Sequence, residues 1–183
     1  NQFISKNFSK LNGSFGLVYQ KNSFTLRSNF SSGFRPPHLS EMLADGVHHG
    51  TNRYEIGSQD LVSEFANQYD VSLDYKSEHV NFNMNPFYNS FKNYIFVEPT
   101  ADFIDGYPVY VYSQAPSAKT YGGEVYFHYH PHFVHRIHIE SDFSYVIGQD
   151  NNNNPLPLIP QTRMNTNIKY EFGEQKISLK SRH

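Results

Sequence analysis

Apolar residues occupy every second position in several stretches of this chain, and no other feature limits its fold as strongly. Within 68–75 polar or charged residues alternate with the apolar or aromatic side chains of Tyr69, Val71, Leu73 and Tyr75. Residues 137–147 repeat the pattern. Because successive side chains of a β-strand point to opposite faces, the alternation predicts strands with one apolar and one polar face.

The alternating stretches predict an all-β fold, an antiparallel meander of about eight long strands. We place them at 7–19, 23–31, 62–75, 80–91, 120–129, 134–147, 163–172 and 174–179. Most exceed the ~5–6 residues of a globular strand and suit the ~9–11 residues with which a tilted strand crosses a bilayer. We expect the aromatic residues of the apolar face to contact lipid, namely Phe82, Phe87, Phe91, Phe127, Phe143 and Tyr145.

Short and long connections alternate between the predicted strands. The short ones are 20–22, 76–79, 130–132 and 173–175, and the long ones are 32–61, 93–118 and 148–161. The first long loop holds a predicted short helix near 39–44, and the second an extra hairpin made of 94–97 and 109–112. One end of the sheet would then carry tight turns and the other large loops, as in outer-membrane barrels with short periplasmic turns and long extracellular loops.

The composition excludes several classes of function. The 183 residues carry a net charge of −2, which gives no electrostatic basis for binding nucleic acid. The absence of cysteine removes disulfides and thiol nucleophiles. We find neither a phosphate-binding glycine loop nor a nucleophile elbow, and we therefore predict that the protein is not an enzyme.

Ordered short motifs in the chain resemble those of TonB-dependent outer-membrane receptors. They run from about residue 30 to 172 and comprise the segments 33–37 (GFRPP), 87–89 with 92–95 (FYN and KNYI), 121–124 (YGGE) and 156–160 (LPLIP) with Arg163. The loop segment 44–52 is similar to that of the zinc-uptake-type branch of the family. Each motif is weakly specific, whereas the ordered set is strongly so.

The resemblance implies a plugged barrel of the ~22-stranded class in the bacterial outer membrane. Residues 1–183 would form a partial barrel domain, with the plug and the final strands outside the chain. Its partners would be the lipid bilayer and an extracellular metal or small nutrient ligand, with TonB contacted only through the missing N-terminal region. We expect no resident cofactor, because a zinc ion or an iron complex would be the cargo.

Two groups of histidines are candidate metal ligands. His38, His48 and His49 lie in the first long loop, where imidazoles could capture a divalent ion or a chelate, although solvated loop histidines are the simpler alternative. His128 and His130 share one face of a predicted strand and form a weaker candidate. By the alternation of connections this second group lies near a periplasmic turn, where polar imidazoles are also unremarkable.

A soluble β-sandwich that binds a ligand or carbohydrate is the alternative function, because two-faced strands also build sandwich cores. Solubility without detergent would distinguish the two. An isolated segment of barrel wall would be an open sheet with two unpaired edges and one large apolar face. Such surfaces drive association, so we expect the isolated chain to be a self-associated antiparallel sheet in water.

Overall fold

The computed structural model describes residues 8–131, 133–134, 136–173 and 175–183 and consists almost entirely of β-strands. The elements are β1 (Gly13–Lys21), β2 (Phe24–Arg35), α1 (Leu39–Leu43), β3 (Asp45–His48), β4 (Arg53–Ile56), β5 (Glu64–Lys76), β6 (Val80–Ile104), β7 (Tyr107–Tyr129), β8 (Ile137–Asp150), β9 (Arg163–Phe172) and β10 (Gln175–Arg182). No helix in the described part of the chain is long and apolar enough to cross a membrane.

All ten strands belong to one sheet. Eight of them follow the order β1-β2-β5-β6-β7-β8-β9-β10, each antiparallel to its neighbour, which confirms the predicted meander. The other two, β3 and β4, form a small hairpin whose second strand runs parallel to β7. The sheet is open, with β1 and β10 at its edges. One continuous sheet does not provide the two packed layers that the β-sandwich alternative requires.

The two ends of the sheet differ as the connection lengths predicted. The turn end carries the connections β1–β2, β5–β6, β7–β8 and β9–β10, of which β7–β8 is the longest. The loop end carries α1 with the β3–β4 hairpin, the tip of the β6–β7 hairpin, and the segment 151–162 between β8 and β9.

The second long loop was predicted wrongly in its extent. Strands β6 and β7 continue through 93–118 as one hairpin of 25 and 23 residues, which turns at Asp105 and Gly106. The predicted extra hairpin is therefore part of two long strands. Pro99 and Pro108 made these strands hard to predict, because proline donates no hydrogen bond to a sheet. The register of the two strands also shifts between Pro99 and Phe103.

Other boundaries shift modestly. The predicted helix is confirmed as α1. Strand β8 begins at Ile137 rather than at residue 134, so the connection after β7 is longer than the three residues expected, and His132 lies outside the described residues. The predicted first and last strands begin at residues 7 and 174, which lie outside the described residues. In the structure, β1 begins at Gly13 and β10 at Gln175.

The register of the strands aligns the apolar positions into one band across the sheet. A single row of it runs through directly paired residues on six strands, Leu26, Leu73, Met84, Val125, Phe143 and Met164. The expectation for Phe87 and Phe91 was wrong, because they pair with Gly122 and Ala118 on the polar face. Small residues beside each ring leave space for it there.

The hydrophobic core of the described residues lies at the loop end. Met42, Leu61 and Ile95 form a small core against Tyr112, where the first long loop packs on the β6–β7 hairpin. The apolar band of the sheet remains uncovered, with Leu17 61% exposed and Phe15 63% exposed. A band of this kind is stable only against lipid or another apolar surface.

Candidate functional site

A network of charged residues fixes the first long loop to the sheet. The Arg35 guanidinium, at the end of β2, contacts both carboxylate oxygens of Glu41 in α1 at 2.8 Å and lies 3.5 Å from Glu64 at the start of β5. Glu41 also accepts a hydrogen bond of 2.8 Å from the His38 backbone N–H. The loop is therefore held in place where it leaves and rejoins the sheet.

Glu55 anchors the β3–β4 hairpin and is the buried charged residue of the described chain, with 5% of its surface exposed. Its carboxylate accepts hydrogen bonds from Arg53 Nε at 2.7 Å and from the Tyr112 hydroxyl at 3.0 Å. Burial alone would raise the pKa of Glu55, but these two hydrogen bonds and the charge of Arg53 lower it below its usual value. Burial and the bond to Glu55 raise the pKa of Tyr112. Arg53 also lies over the Tyr110 ring, 4.7 Å from its centroid.

We refer to α1 and the β3–β4 hairpin, which pack on the β6–β7 hairpin, as the platform. The three loop histidines occupy different places on it. His38 precedes α1 as its N-cap residue. His48 ends β3, and its Nδ1 lies 3.0 Å from the Thr51 hydroxyl, while His49 follows in the exposed turn. Their ring nitrogens do not form a three-residue group within 4.8 Å of one another, so shared coordination of one ion by these histidines stays a prediction.

An acidic cleft opens beside the platform at the loop end. Its volume is about 610 Å³, and three of its lining residues are Asp60, Glu98 and Asp150. Gln114 supports its wall, donating hydrogen bonds to the Val62 and Asn93 carbonyls at 2.8 and 2.7 Å. The carboxylates would attract a cationic ligand to this end of the sheet.

The polar face of the sheet carries paired hydrogen-bonding groups along its length. Asp74 accepts from Asn83 at 2.6 Å and is also bonded by Arg27. Further across the sheet, Asn165 donates to Asp142 at 2.6 Å. Side chains of this kind are suited to a wet or protein-filled lumen and would be costly against lipid.

A cluster of imidazoles lies on the polar face at the turn end. His128 Nε2 and His138 Nδ1 are 3.2 Å apart, on the adjacent strands β7 and β8. With His130 they form a group whose ligand atoms all lie within 4.8 Å of one another, the one such group among the described residues. His79, from the preceding turn, packs its ring against His130 with centroids 4.9 Å apart. We refer to His128, His130 and His138 as the histidine triad.

The structure thus joins the two histidines of the weaker candidate group with a third that was not assigned to it. The register of the β7–β8 hairpin could have indicated His138, because His128 and Glu140 pair directly and His138 precedes Glu140 by two positions on the same face. Glu55 and Tyr112 gave no local signal, since their contact depends on the parallel pairing of β4 with β7.

The antiparallel sheet has an uncovered apolar band on one face and polar side chains on the other. It carries turns at one end and long loops at the other. These features define a sector of a transmembrane β-barrel wall. The family model described as "TonB dependent receptor-like, beta-barrel" matches residues 1–179. The chain belongs to this family, whose members are outer-membrane transporters rather than enzymes.

Solved structures of such receptors share the fold. The copper transporter OprC superposes with a TM-score of 0.77 at 16% identity, over 93% of this chain and 25% of that chain. The siderophore receptor PirA from Pseudomonas aeruginosa superposes with a TM-score of 0.66 at 15% identity, over 93% of this chain and 30% of that chain. The hemophore receptor HasR from Serratia marcescens superposes with a TM-score of 0.67 at 14% identity, over 94% of this chain and 32% of that chain. The chain therefore spans about a quarter to a third of the length of these receptors.

Proposed function

We infer that this chain is part of the barrel of an outer-membrane receptor that imports a metal ion or a metal chelate. The observation that carries the proposal is the loop end of the sheet, which carries both the exposed histidines His48 and His49 and an acidic cleft. Imidazoles and carboxylates are the side chains that bind divalent ions and charged chelates. Energy coupling through TonB would use a part of the receptor outside this chain.

Rigid support of the loop favours capture of a dilute ligand. Binding sites lose less entropy when their groups are already ordered, and the ion pairs of Arg35 together with the buried Glu55 order this loop. The structural neighbours are consistent with the class of cargo, since they are a copper transporter, a siderophore receptor and a hemophore receptor. The polar face would line the wet path that the ligand follows once the plug rearranges.

Calorimetry on the full-length receptor in detergent tests the proposal. Zn²⁺ and a ferric chelate are titrated separately into the wild type and into the triple variant His38→Ala, His48→Ala, His49→Ala. We expect saturable binding of at least one of them that the triple variant loses. His183→Ala is the matched control, because His183 is an exposed histidine at the same end of the sheet whose side chain bonds to the neighbouring Ser181, while its backbone pairs with Met164. Binding of neither ligand by the wild type would contradict metal import.

A further inference from the structure

We propose that the histidine triad binds a divalent transition-metal ion of borderline character, Zn²⁺ or Cu²⁺, on the polar face at the turn end. This site is separate from the loop histidines, which lie at the opposite end of the sheet. Its role as a site that the ion occupies before it leaves the lumen rests on the proposed function. Binding of the ion by the triad does not.

The spacing of the ring nitrogens suits a metal ion. Two nitrogens bound to one tetrahedral Zn²⁺ at ~2.0–2.1 Å are about 3.4 Å apart. His128 Nε2 and His138 Nδ1 already lie 3.2 Å apart, and the ligand atom of His130 lies within 4.8 Å of both. The ring of His130 is 5.7 Å from His128 and 5.5 Å from His138 between centroids, so rotation of side chains closes the site without moving a strand.

The strands hold the three residues in a fixed relation. His128 and His130 are two residues apart on β7 and therefore share a face. His128 pairs directly with Glu140 on β8, and His138 precedes Glu140 by two positions on the same face. All three side chains are half-buried, which limits their rotamers and the entropy lost when a metal binds.

Two carboxylates lie near the triad, Glu140 beside His128 and Glu171 beside His138. Glu140 accepts hydrogen bonds from Lys169 Nζ at 2.7 Å and from Asn167 at 3.1 Å. Three imidazoles whose ring nitrogens lie this close together are an arrangement that binds a transition metal.

The donor set also defines which ions the site takes. Three nitrogen ligands without thiolate favour Zn²⁺ and Cu²⁺, with Cu²⁺ the tighter of the two, and disfavour Mg²⁺ and Ca²⁺, which prefer oxygen. A tetrahedral ion would retain one position for water or for an incoming ligand. Sites with an open position exchange their contents more readily than closed four-ligand sites, which suits an ion in transit.

The test measures Zn²⁺ binding to the full-length refolded receptor by competition with a chromophoric chelator. His138→Asn removes a metal-binding imidazole and keeps a polar side chain that can still bond to His128. We expect it to weaken one Zn²⁺ site by at least about 100-fold, because loss of an outer-shell partner alone costs roughly 10–100-fold and His138 is a direct ligand. His183→Ala is the control and should bind as the wild type does. Unchanged affinity and stoichiometry in His138→Asn would overturn the proposal.

Cu²⁺ electron paramagnetic resonance gives a readout that folding alone does not move. Both proteins carry the loop triple substitution, which removes other histidine ligands. The nitrogen splitting should indicate three imidazoles where His138 is intact and two in His138→Asn. An identical spectrum in both would overturn the proposal. Triad binding in a receptor that imports no metal would refute the proposed function alone, and import with an unaltered His138→Asn site would refute the triad alone.

Discussion

The Tyr112 hydroxyl donates a hydrogen bond of 3.0 Å to the carboxylate of Glu55, and this contact joins the β3–β4 hairpin to the long β6–β7 hairpin. The two residues are 57 positions apart in the sequence. Their contact lies beside the small core of Met42, Leu61 and Ile95, so it connects the packing of the loop to its charged anchors. The first long loop is therefore a folded unit built on the barrel wall.

Removal of this hydroxyl should loosen the loop. Tyr112→Phe leaves the buried Glu55 carboxylate with one donor fewer, and a hydrogen bond to a charged group contributes about 1.5–3 kcal/mol. We expect faster hydrogen exchange in 39–61 with the membrane-embedded strands unchanged, measured by mass spectrometry. Tyr110→Phe is the matched control, because it keeps the ring that Arg53 contacts. Equal exchange in both variants would show that the bond does not hold the loop.

The loop should also loosen in acid. Hydrogen bonds from Arg53 and Tyr112 lower the pKa of Glu55 below its usual 4.5 despite the opposing effect of burial. A carboxyl whose pKa is lowered in the folded state adds stability that is present above the unfolded value and is lost as the pH falls through the folded one. Protease cleavage within the loop should therefore increase below about pH 4.5, measured in detergent with an acid-active protease. Glu55→Gln should abolish that Glu55-dependent part of the increase, and a profile identical to wild type would contradict the assignment.

The two faces of one strand should respond oppositely to a charge. Val125 lies in the apolar band and pairs with Met84 and Phe143, whereas Tyr126 pairs with Asp142 on the polar face. Val125→Arg should reduce the free energy of unfolding in lipid vesicles by about 2–4 kcal/mol. Tyr126→Arg should cost much less, because its charge faces Asp142. Equal losses in urea titrations of the two variants would contradict the assignment of the faces.

The isolated chain should associate in water. Its edge strand β1 is exposed along all of its residues, and large apolar side chains such as Phe15 and Ile177 are at least 63% exposed. Unpaired edges and an uncovered apolar band promote pairing with other copies. Light scattering after size-exclusion chromatography should report oligomers without detergent and smaller species with it. A stable monomer in water would show that the band is covered in some other way.

The sequence predicted the parts of the fold that depend on local periodicity. Strands β5 and β8 alternate regularly, and their period of two was enough to place them. Past Asn93 the β6–β7 hairpin leaves the apolar band, and its prolines interrupt the pattern, so the same rule failed there. Phe87 and Phe91 occupy odd-numbered positions on β6 and Phe82 an even-numbered one, so they point to opposite faces of the sheet. They were assigned to the wrong face because aromatic character alone does not indicate a face.

The sites were predictable only in part, for the same physical reason. His128 and His130 lie on one strand, and their two-residue spacing revealed a shared face. The position of His138 depends on the register of the β7–β8 hairpin, and the burial of Glu55 depends on a parallel pairing of three residue pairs between β4 and β7. Contacts of this kind follow from tertiary packing and leave no periodic signal along the chain.

The orientation of the sheet in the outer membrane is the central claim, and cysteine labelling tests it most directly. The chain contains no cysteine, so single cysteines can be introduced into the full-length receptor after any elsewhere are replaced. Asn152→Cys lies at the loop end, and Glu78→Cys lies in a turn at the turn end where its side chain is 86% exposed. A membrane-impermeant thiol reagent should label Asn152→Cys on intact cells and Glu78→Cys only after the outer membrane is opened. Labelling of Glu78→Cys on intact cells, with Asn152→Cys protected, would contradict the account.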